Sequence, residues 1–407
     1  MQSDPLILVE EALARICDNL PVQSVEPLGI DRCHGRVLAE DVMSELTHPA
    51  ADISAMDGFA IGASLGLSSG LSFTVIGEAA AGSPFTGLVG PGEAVRIFTG
   101  GYLAAGTDTI VVQEEVEKLS DGRILLTETA ETGQFVRPQG LDFSAGDLLL
   151  PRGKRLSARD IALAALSGAG TLRVRTPPRV GILSSGDELV RPGEHPRVGQ
   201  LVNSNSLFLQ QLVKITGGDP VDLGIIRDIP GALTQVVAEA GPFDLLITTG
   251  GASVGDHDHI VSDITTSQNG SINFWKIAMR PGKPLIFGSI GETPILGLPG
   301  NPVSAGVCGL IFVKPALHAL LGSSDQSVLM SAPLATSLPK NGRRQDYMRG
   351  YWVQLDDGSR AVMPASRQDS SMLGIFTHSE VLIIRPPHSP AVAEGSLIDI
   401  MPIPNGI

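Results

Sequence analysis

The feature that most constrains this sequence is an alternation of strand-like and helix-like segments that begins after Pro177–Pro178, two prolines that continue neither a helix nor a central strand. The predicted strands are RVGILSSG, PVDLGIIRD, FDLLITTGG, INFWKIAM, PLIFGSI and PILGLPG. The predicted helices are NSNSLFLQQLVKITGG, PGALTQVVAEAG, DHDHIVSDITTS and NPVSAGVCGLIFVKPALHALLG. Alternation of this kind indicates an α/β domain with a largely parallel sheet.

The segments on either side have a different texture. The chain begins with an amphipathic helix in MQSDPLILVEEALARI, for which Asp4 is the predicted cap. Short β-like runs separated by Gly, Pro or Asp follow up to about Leu150, and RLSARDIALAALSGAG then predicts a helix capped by Ser157. After about Ser327 the pattern is β again, which predicts a small C-terminal barrel or sandwich. A chain of 407 residues is too long for one core, so several domains are expected.

Composition and motifs exclude several classes of protein. The net charge is −14 and no run of Lys or Arg occurs, which argues against a nucleic-acid partner. The sequence has no GxxxxGK[ST] motif, and no GxGxxG follows the first strand of the α/β region, so neither a P-loop nor a dinucleotide fold is indicated. The cysteines number three and lie far apart, without zinc or disulfide spacing. With no secretory signal and no apolar run of membrane-spanning length, we expect a cytoplasmic protein.

The loop TTGGASVGDHD combines glycines with acidic residues directly after a predicted strand. Gly250, Gly251 and Gly255 let backbone amides approach an anion, and the helix that follows adds attraction. Loops after parallel strands converge on one crevice, so the acidic side chains of three loops are expected to meet there. Magnesium resolves the conflict between carboxylates and a bound phosphate, because it bridges the two. The candidate acidic residues are Glu188, Asp228, Asp256 and Asp258, although Asp256 or Asp258 could instead cap the helix and Glu188 could be a solvated surface carboxylate.

Two further loops supply groups for a negatively charged ligand. RPGKP contains Arg280 and Lys283, and Lys276 lies just upstream. GLPGNPVS is a rigid turn at a helix start, in which backbone amides and the Ser304 hydroxyl suit an oxyanion. Its predicted binding residues are Pro299, Gly300, Asn301 and Pro302. In the first β region, Asp57–Gly58 predicts a turn and Thr99 begins a flexible polar loop, and the residues alone indicate only structural roles there.

The motifs together resemble those of a known family. SAMDGFA, FTGG…GTDTIVVQEE, SSGDEL, TTGGASVGDHD, KIAMRPGKP and GLPGNPVSA occur in the order seen in molybdopterin molybdenumtransferases, the bacterial enzymes similar to the gephyrin E domain. The resemblance covers essentially the whole chain. Two departures are that Arg280 stands where the family usually has lysine and that Ser185 stands where threonine is usual.

The resemblance implies a fold and an activity. It implies an elongated homodimer whose subunits have four domains: residues 1–45 with 142–178, a small mostly-β domain over 46–141, a molybdopterin-binding α/β domain over 179–325, and a C-terminal β-barrel over 326–407. The implied reaction inserts molybdate into adenylylated molybdopterin and releases AMP, with Mg²⁺ as cofactor. Candidate partners are the molybdopterin adenylyltransferase and the enzymes that receive the finished cofactor.

Residue by residue, the resemblance assigns roles to the motifs. Asp57 and Thr99 match positions that reach the site from the neighbouring subunit, and Ser253 belongs to the glycine loop that binds the pterin substrate. Glu188, Asp228 and Asp258 match the acidic cluster that the family is expected to use for Mg²⁺. Lys276, Lys283 and Ser304 match cationic and oxyanion loops. Arg344, Arg349 and Ser370 match the stretches RRQDYMRG and SRQDSSML of the barrel.

Two other functions compete with this one. A molybdopterin adenylyltransferase resembles residues 179–325 alone, and the flanking β regions argue against it. A non-catalytic scaffold of the gephyrin kind is disfavoured by the intact acidic residues and the RPGKP loop.

Overall fold

The computed structural model describes residues 6–62, 67–250, 259–267, 269–325 and 329–404. The predicted N-terminal helix is present as α1 (Val9–Cys17), and it buries Val9 and Ile16. It begins after Leu8, so the expectation that Asp4 caps it is wrong. The reason is that Ile7 forms a parallel bridge with Ile277, which keeps the preceding backbone extended.

Segments far apart in sequence pair to build the next region of the fold. Its elements are β1 (Val25–Gly29), a 3₁₀ turn (Ile30–Arg32), β2 (Val42–Met43), β11 (Leu148–Leu150), α2 (Ala158–Leu166) and β12 (Thr171–Arg175). Strand β1 pairs antiparallel with β12, and β2 pairs antiparallel with β11. Ser157 caps α2 in a capping box with Asp160, which confirms the predicted helix start.

The mostly-β region between these segments carries the SAMDGFA and FTGG motifs. Its elements are β3 (Ile53–Ser54), β4 (Gly58–Ile61), β5 (Ser72–Ala79), β6 (Glu93–Ile97), β7 (Thr109–Val112), a 3₁₀ turn (Gln113–Glu115), β8 (Val116–Lys118), β9 (Arg123–Leu126) and β10 (Val136–Arg137). The main sheet has the order β7-β4-β6-β5-β9-β8, and β3 pairs with β10. Gly58 begins β4 instead of forming part of a turn. A Cβ at this position would lie 2.1 Å from the Val111 carbonyl oxygen of the adjacent strand, so the strand pairing requires glycine here.

The α/β region follows the predicted alternation. Its strands are β13 (Arg179–Ser185), β14 (Leu189–Val190), β15 (Leu201–Val202), β16 (Asp219–Ile226), β17 (Leu245–Thr249), β18 (Gly270–Trp275), β20 (Ile286–Ile290) and β21 (Thr293–Leu298). Its helices are α3 (Asn205–Thr216), α4 (Ala232–Ala240), α5 (His259–Thr266), α6 (Pro302–Cys308) and α7 (Lys314–Leu321). The sheet order is β16-β13-β17-β21-β20-β18, with β16, β13, β17 and β21 mutually parallel. Because the chain passes from β13 to β16 and then back across to β17, the carboxyl ends of β13 and β17 border the topological switch point where ligands bind.

The C-terminal region is a β-sheet with one short helix. Its elements are β22 (Met330–Pro333), β23 (Gln345–Gln354), β24 (Arg360–Pro364), α8 (Leu373–Thr377), β25 (Val381–Arg385) and β26 (Leu397–Pro402). A strand from the α/β region, β19 (Met279–Arg280), joins one edge, and the order is β19-β23-β25-β26-β22, with β24 also paired to β23. The overall architecture is therefore a multidomain α/β protein, as predicted.

The prediction of one continuous strand in INFWKIAM is wrong. Strand β18 ends at Trp275, and Lys276 has a positive φ of 78°, which turns the chain away from the α/β sheet. Met279 and Arg280 then pair in parallel with Gln345 and Asp346 of β23. This short segment therefore ties the α/β region to the C-terminal sheet directly before the RPGKP loop.

A long helix forms part of the main hydrophobic core. Helix α6, a π-helical turn at Gly309–Val313 and α7 are continuous over Pro302–Leu321. By length and composition this helix could cross a membrane, so the expectation that no segment is long and apolar enough is wrong on those criteria. The most apolar 18-residue stretch of this helix is 78% buried inside the protein. Residues of α1 and of the C-terminal sheet pack in the same core. It is therefore the central core helix that holds three regions together.

Candidate functional site

A cavity of about 540 Å³ lies at the carboxyl ends of β13, β17 and β21, next to the switch point. Its wall contains loops from each of these strands and the start of α6. The lining residues are Ser185, Glu188, Leu189, Leu201, Val202, Asn203, Ser204, Asn205, Asp228, Thr249, Gly250, Pro284, Pro299, Gly300, Asn301, Pro302 and Ser371. The loops after the strands therefore do converge, as the α/β pattern predicted.

The acidic wall of the cavity is formed by two predicted residues. Ser185 Oγ, at the end of β13, donates a hydrogen bond of 2.5 Å to Asp228 Oδ1, in the loop after β16. This bond fixes one oxygen of the Asp228 carboxylate. Glu188 lies on the exposed side of the same cavity. A Cβ on Gly186 would lie 2.6 Å from Glu188 Oε2, so the glycine makes room for this carboxylate.

Two of the three predicted metal ligands, Glu188 and Asp228, lie within the described residues. Among the described residues, no group of three or more His, Cys, Asp or Glu side chains is placed to hold a metal ion. The third predicted ligand, Asp258, lies outside the described residues, as do Gly251, Ser253 and Gly255 of the same loop. Carboxylates that face one cavity are the oxygen ligands that Mg²⁺ requires, so Glu188 and Asp228 fit the predicted metal.

Backbone from two glycine loops forms another part of the wall. Gly250 has a φ of 81°, and a Cβ there would lie 2.1 Å from the Ser185 carbonyl oxygen, so β17 can end against β13 only with glycine. A Cβ on Gly300 would lie 3.5 Å from the Gly250 Cα, which shows that the two loops meet. The closeness of bare backbone at this point suits a ligand that binds peptide N–H groups.

Buried amides and hydroxyls, which the sequence analysis did not single out, support this wall. Asn205 Nδ2 donates to the Gly300 carbonyl over 2.8 Å. Asn203 Nδ2 donates to Ser184 Oγ over 2.9 Å, and Thr249 Oγ1 lies 3.3 Å from the same oxygen. The signal that could have found them is the polar run NSNS at the start of the predicted helix NSNSLFLQQLVKITGG, since such side chains seldom lie beside a core without a partner.

The start of α6 links the cavity to the C-terminal region. Pro302 occupies the first turn, and Asn301 makes no side-chain cap to its own helix. Its Nδ2 instead donates to Ser370 Oγ over 3.0 Å. The Val303 amide donates to the Ser370 carbonyl over 3.0 Å, so this amide is not free for an anion, contrary to the expectation for this turn. Ser304 is only 4% exposed, inside α6.

Several predicted residues lie outside the cavity lining in the part of the chain that the structure describes: Asp57, Thr99, Lys276, Arg280, Lys283, Ser304, Arg344, Arg349 and Ser370.

The RPGKP loop runs alongside the cavity. Arg280 forms an ion pair with the buried carboxylate of Asp346, and the hydrogen bond that the guanidinium donates to this carboxylate raises the pKa of Arg280. Arg280 is thus occupied in joining β19 to β23. Lys283 is half-buried and precedes Pro284, which lines the cavity. Lys276 Nζ lies 3.8 Å from the centroid of the Trp275 ring, a cation–π contact, so this lysine is turned towards β18.

The two predicted arginines differ in their surroundings. Arg349 is only 2% exposed, and its contacts to the carbonyls of Tyr347 and Asp369 are long, at 3.5 and 3.4 Å. Its Nε is buried and has no hydrogen-bond partner among the residues that the structure describes, and burial lowers the pKa of Arg349. Arg344 is half-buried, and burial followed by the charge of Arg280 lowers its pKa. Asp369, whose carbonyl Arg349 contacts, precedes Ser370, so Arg349 lies near the Asn301–Ser370 link.

Asp57 and Thr99 form a pair of their own in the mostly-β region. Asp57 Oδ1 accepts two hydrogen bonds of 2.8 Å, from the Thr99 amide and from Thr99 Oγ1. These bonds lower the pKa of Asp57, because they stabilise its charged form. The structure therefore brings the two residues together, but at a place separate from the cavity of their own chain.

Comparison with known families covers most of the sequence. Residues 7–168 match the MoeA N-terminal region (domain I and II), residues 181–319 match a probable molybdopterin binding domain, and residues 331–403 match the MoeA C-terminal region (domain IV). The three matches follow one another in the chain without overlap.

Individual relatives and a solved structure indicate the same family as these three matches. A molybdopterin molybdenumtransferase of Haemophilus influenzae is 32% identical over 401 residues, with 98% of each chain covered. One from a Nostoc species is 34% identical, with 94% of this chain and 89% of the relative covered. The crystal structure of a molybdopterin biosynthesis moeA protein from Pyrococcus horikoshii superposes with a TM-score of 0.84 at 26% identity, covering 98% of this chain and 100% of that one.

Proposed function

Because the chain belongs to the molybdopterin molybdenumtransferase family, and so acts as a transferase in molybdenum cofactor biosynthesis, we propose that its cavity binds adenylylated molybdopterin for the insertion of molybdate and the release of AMP. The observation that carries this proposal is that Glu188 and Asp228 face the same cavity as the backbone of Gly250 and Gly300. Carboxylates and bare peptide groups in one cavity suit a phosphate ester bound together with a divalent cation.

Magnesium has a defined place in this proposal. Glu188 and Asp228 would hold it, together with Asp258, and when bound it would supply positive charge to the phosphates. Ser185 keeps the Asp228 carboxylate turned towards the cavity through their hydrogen bond. The glycines Gly250, Gly251 and Gly255 and the loop residue Ser253 bind the phosphates through backbone and hydroxyl groups. The residues Pro299 to Pro302 line the cavity beside this loop.

Molybdate is a substrate that must be held beside an already anionic pterin. Fixed cations and hydrogen-bond donors offset the repulsion. Lys283 borders the cavity through Pro284, and Ser370 reaches it through Asn301. Arg349 is a buried arginine near the Asn301–Ser370 link, and its Nε has no hydrogen-bond partner among the described residues. Lys276, Arg280 and Arg344 add positive charge around this side in our proposal.

We further propose that the protein is a homodimer in which Asp57 and Thr99 serve the cavity of the partner subunit. Their place away from their own cavity supports this arrangement. The region built from β1, β2, β11, α2 and β12 also exposes large apolar side chains: Met43 and Leu148, paired across β2 and β11, are 48% and 53% exposed, and Leu46 and Leu166 are 51% and 43% exposed. Exposed apolar residues gathered on one region are typical of an interface.

The finer architecture remains a proposal as well. We propose the four domains at the boundaries given above, and a closed C-terminal barrel. Support for the barrel is a bridge between Leu334, directly after β22, and Val362 of β24, since these strands lie at opposite ends of the paired order. We also propose a cytoplasmic location, and exchange of pterin with the adenylyltransferase and the enzymes that receive the cofactor.

Complementation tests the function. The wild-type chain should restore molybdoenzyme activity in a bacterial cell that lacks its own molybdenumtransferase, and the Glu188→Gln chain at equal expression should not. Rescue of a cell that lacks the adenylyltransferase instead would identify the chain as that enzyme. Failure in both cells by a folded protein would favour a scaffold.

A further inference from the structure

One arginine lies between the two segments that carry Asp57 and Thr99. Arg96 is in β6, opposite Phe59 of β4 in the antiparallel register. Its guanidinium carbon lies 5.0 Å from the centroid of the Phe59 ring and 4.8 Å from the centroid of the Phe98 ring. Both are cation–π contacts, so the guanidinium is held by two aromatic rings.

Hydrogen bonds fix the same group further. Arg96 Nη1 donates to the Gly58 carbonyl over 3.0 Å, and Nη2 donates to Gln113 Oε1 over 2.7 Å. In the described part of the chain, no carboxylate lies within ion-pair distance of Arg96. The side chain is half-buried, and its arrangement is not explained by a salt bridge within the described residues.

The contacts of Arg96 fall on the immediate neighbours of the functional pair. Gly58 follows Asp57, and Phe98 precedes Thr99. A single rigid, planar group therefore sets the spacing between the two segments, while Asp57 and Thr99 are joined directly by their own hydrogen bonds. The charge of Arg96 also favours the ionised form of Asp57, after the stronger effect of the Thr99 bonds.

We propose that Arg96 is a positioning residue that holds the Asp57–Thr99 pair in the geometry in which it reaches the partner subunit's cavity. This inference rests on the proposed function, in which that pair serves the reaction. Arg96 itself would touch neither pterin nor molybdate. Its loss should therefore lower the turnover rate and leave the affinity for the pterin substrate nearly unchanged.

The first test compares variants of Arg96. Arg96→Met should reduce kcat roughly 10-fold to 100-fold, the size of effect that a misplaced functional group causes, with KM for adenylylated molybdopterin within about twofold of wild type. Arg96→Lys keeps the charge and tests the proposal even if the methionine variant folds poorly. Its kcat should lie between those of the wild type and Arg96→Met. The control is Arg123→Met on β9, which removes an arginine paired with Asp121 on the same sheet and should leave kcat unchanged.

A double-mutant cycle separates positioning from general damage. If Arg96 acts through Asp57, Arg96→Met should cause little further loss in an Asp57→Ala chain, because the group that it positions is gone. An equal fold-loss in both backgrounds, or a rise in KM with unchanged kcat, would overturn the inference. Full activity of Asp57→Ala alone would instead show that the proposed role of the Asp57–Thr99 pair is wrong, and the inference would fail with it.

Discussion

Asn301 Nδ2 lies 3.0 Å from Ser370 Oγ, so one side-chain hydrogen bond joins the first turn of α6 to the loop before α8. The Ser370 carbonyl accepts the Val303 amide in the same place. Ser371, the next residue, lines the cavity. The cavity is therefore complete only when the C-terminal region is docked on the α/β region.

Removal of this link should affect molybdate use. Ser370→Ala loses the hydrogen bond from Asn301, which is worth about 0.5–1.5 kcal/mol, and removes a donor proposed to face molybdate. We expect a higher half-saturating molybdate concentration with a small loss in Tm. The control Ser331→Ala removes a comparable bond to Asp399, of 3.0 Å, on β22. If both variants behave alike, Ser370 is only structural.

The acidic wall should govern the magnesium requirement. Asp228→Asn keeps the shape and the bond from Ser185 but removes the charge, so the half-saturating Mg²⁺ concentration for AMP release should rise about tenfold or more. The control is Asp219→Asn at the far end of the same strand, β16, where no effect is expected. An unchanged Mg²⁺ titration for Asp228→Asn would remove this residue from the metal site.

Lys283 should matter for molybdate more than for the pterin. A hydrogen bond to a charged group is worth about 1.5–3 kcal/mol, so Lys283→Ala should raise the half-saturating molybdate concentration roughly tenfold or more. The pterin should still bind, because the glycine loops and the acidic wall remain. Lys214→Ala on α3 is the control for loss of an exposed lysine. Equal molybdate titrations for wild type and Lys283→Ala would place the oxyanion elsewhere.

The homodimer makes a prediction that can be checked by light scattering and by activity. Leu148→Lys puts a charge into the exposed apolar region and should yield a monomer with little activity, whereas Leu397→Lys, at a site 70% exposed on β26, should stay dimeric. Mixing an Asp57→Ala chain with a Glu188→Gln chain should restore part of the activity, because one site of each hybrid is intact. A fully active monomer contradicts the shared site.

The sequence predicted the α/β region well because its signals are local. Buried strands such as β13 and β17 are continuous apolar runs, and the helices between them have their own periodicity. The meeting of Glu188 and Asp228 followed from the rule for parallel strands. By contrast, the break at Lys276 depends on β19 pairing with β23, about 65 residues later in the chain, and no local pattern contains that information.

The supporting polar residues were harder to find. Ser185 and Asn205 act through partners that are distant in sequence, Asp228 and the Gly300 carbonyl, so their roles appear only in the fold. Gly58 looked like a turn residue beside Asp57, yet it is needed because the Val111 carbonyl lies against it. Ser304 was expected to face an oxyanion, but helix α6 buries it.

The most direct test of the proposed function is AMP release by the purified protein supplied with adenylylated molybdopterin. We predict that AMP appears in equal amount to the molybdenum cofactor formed, and only when both molybdate and Mg²⁺ are present. The Glu188→Gln protein should release almost none under the same conditions. AMP release that does not depend on molybdate, or formation of adenylylated molybdopterin from ATP by the wild-type protein, would contradict the proposed reaction.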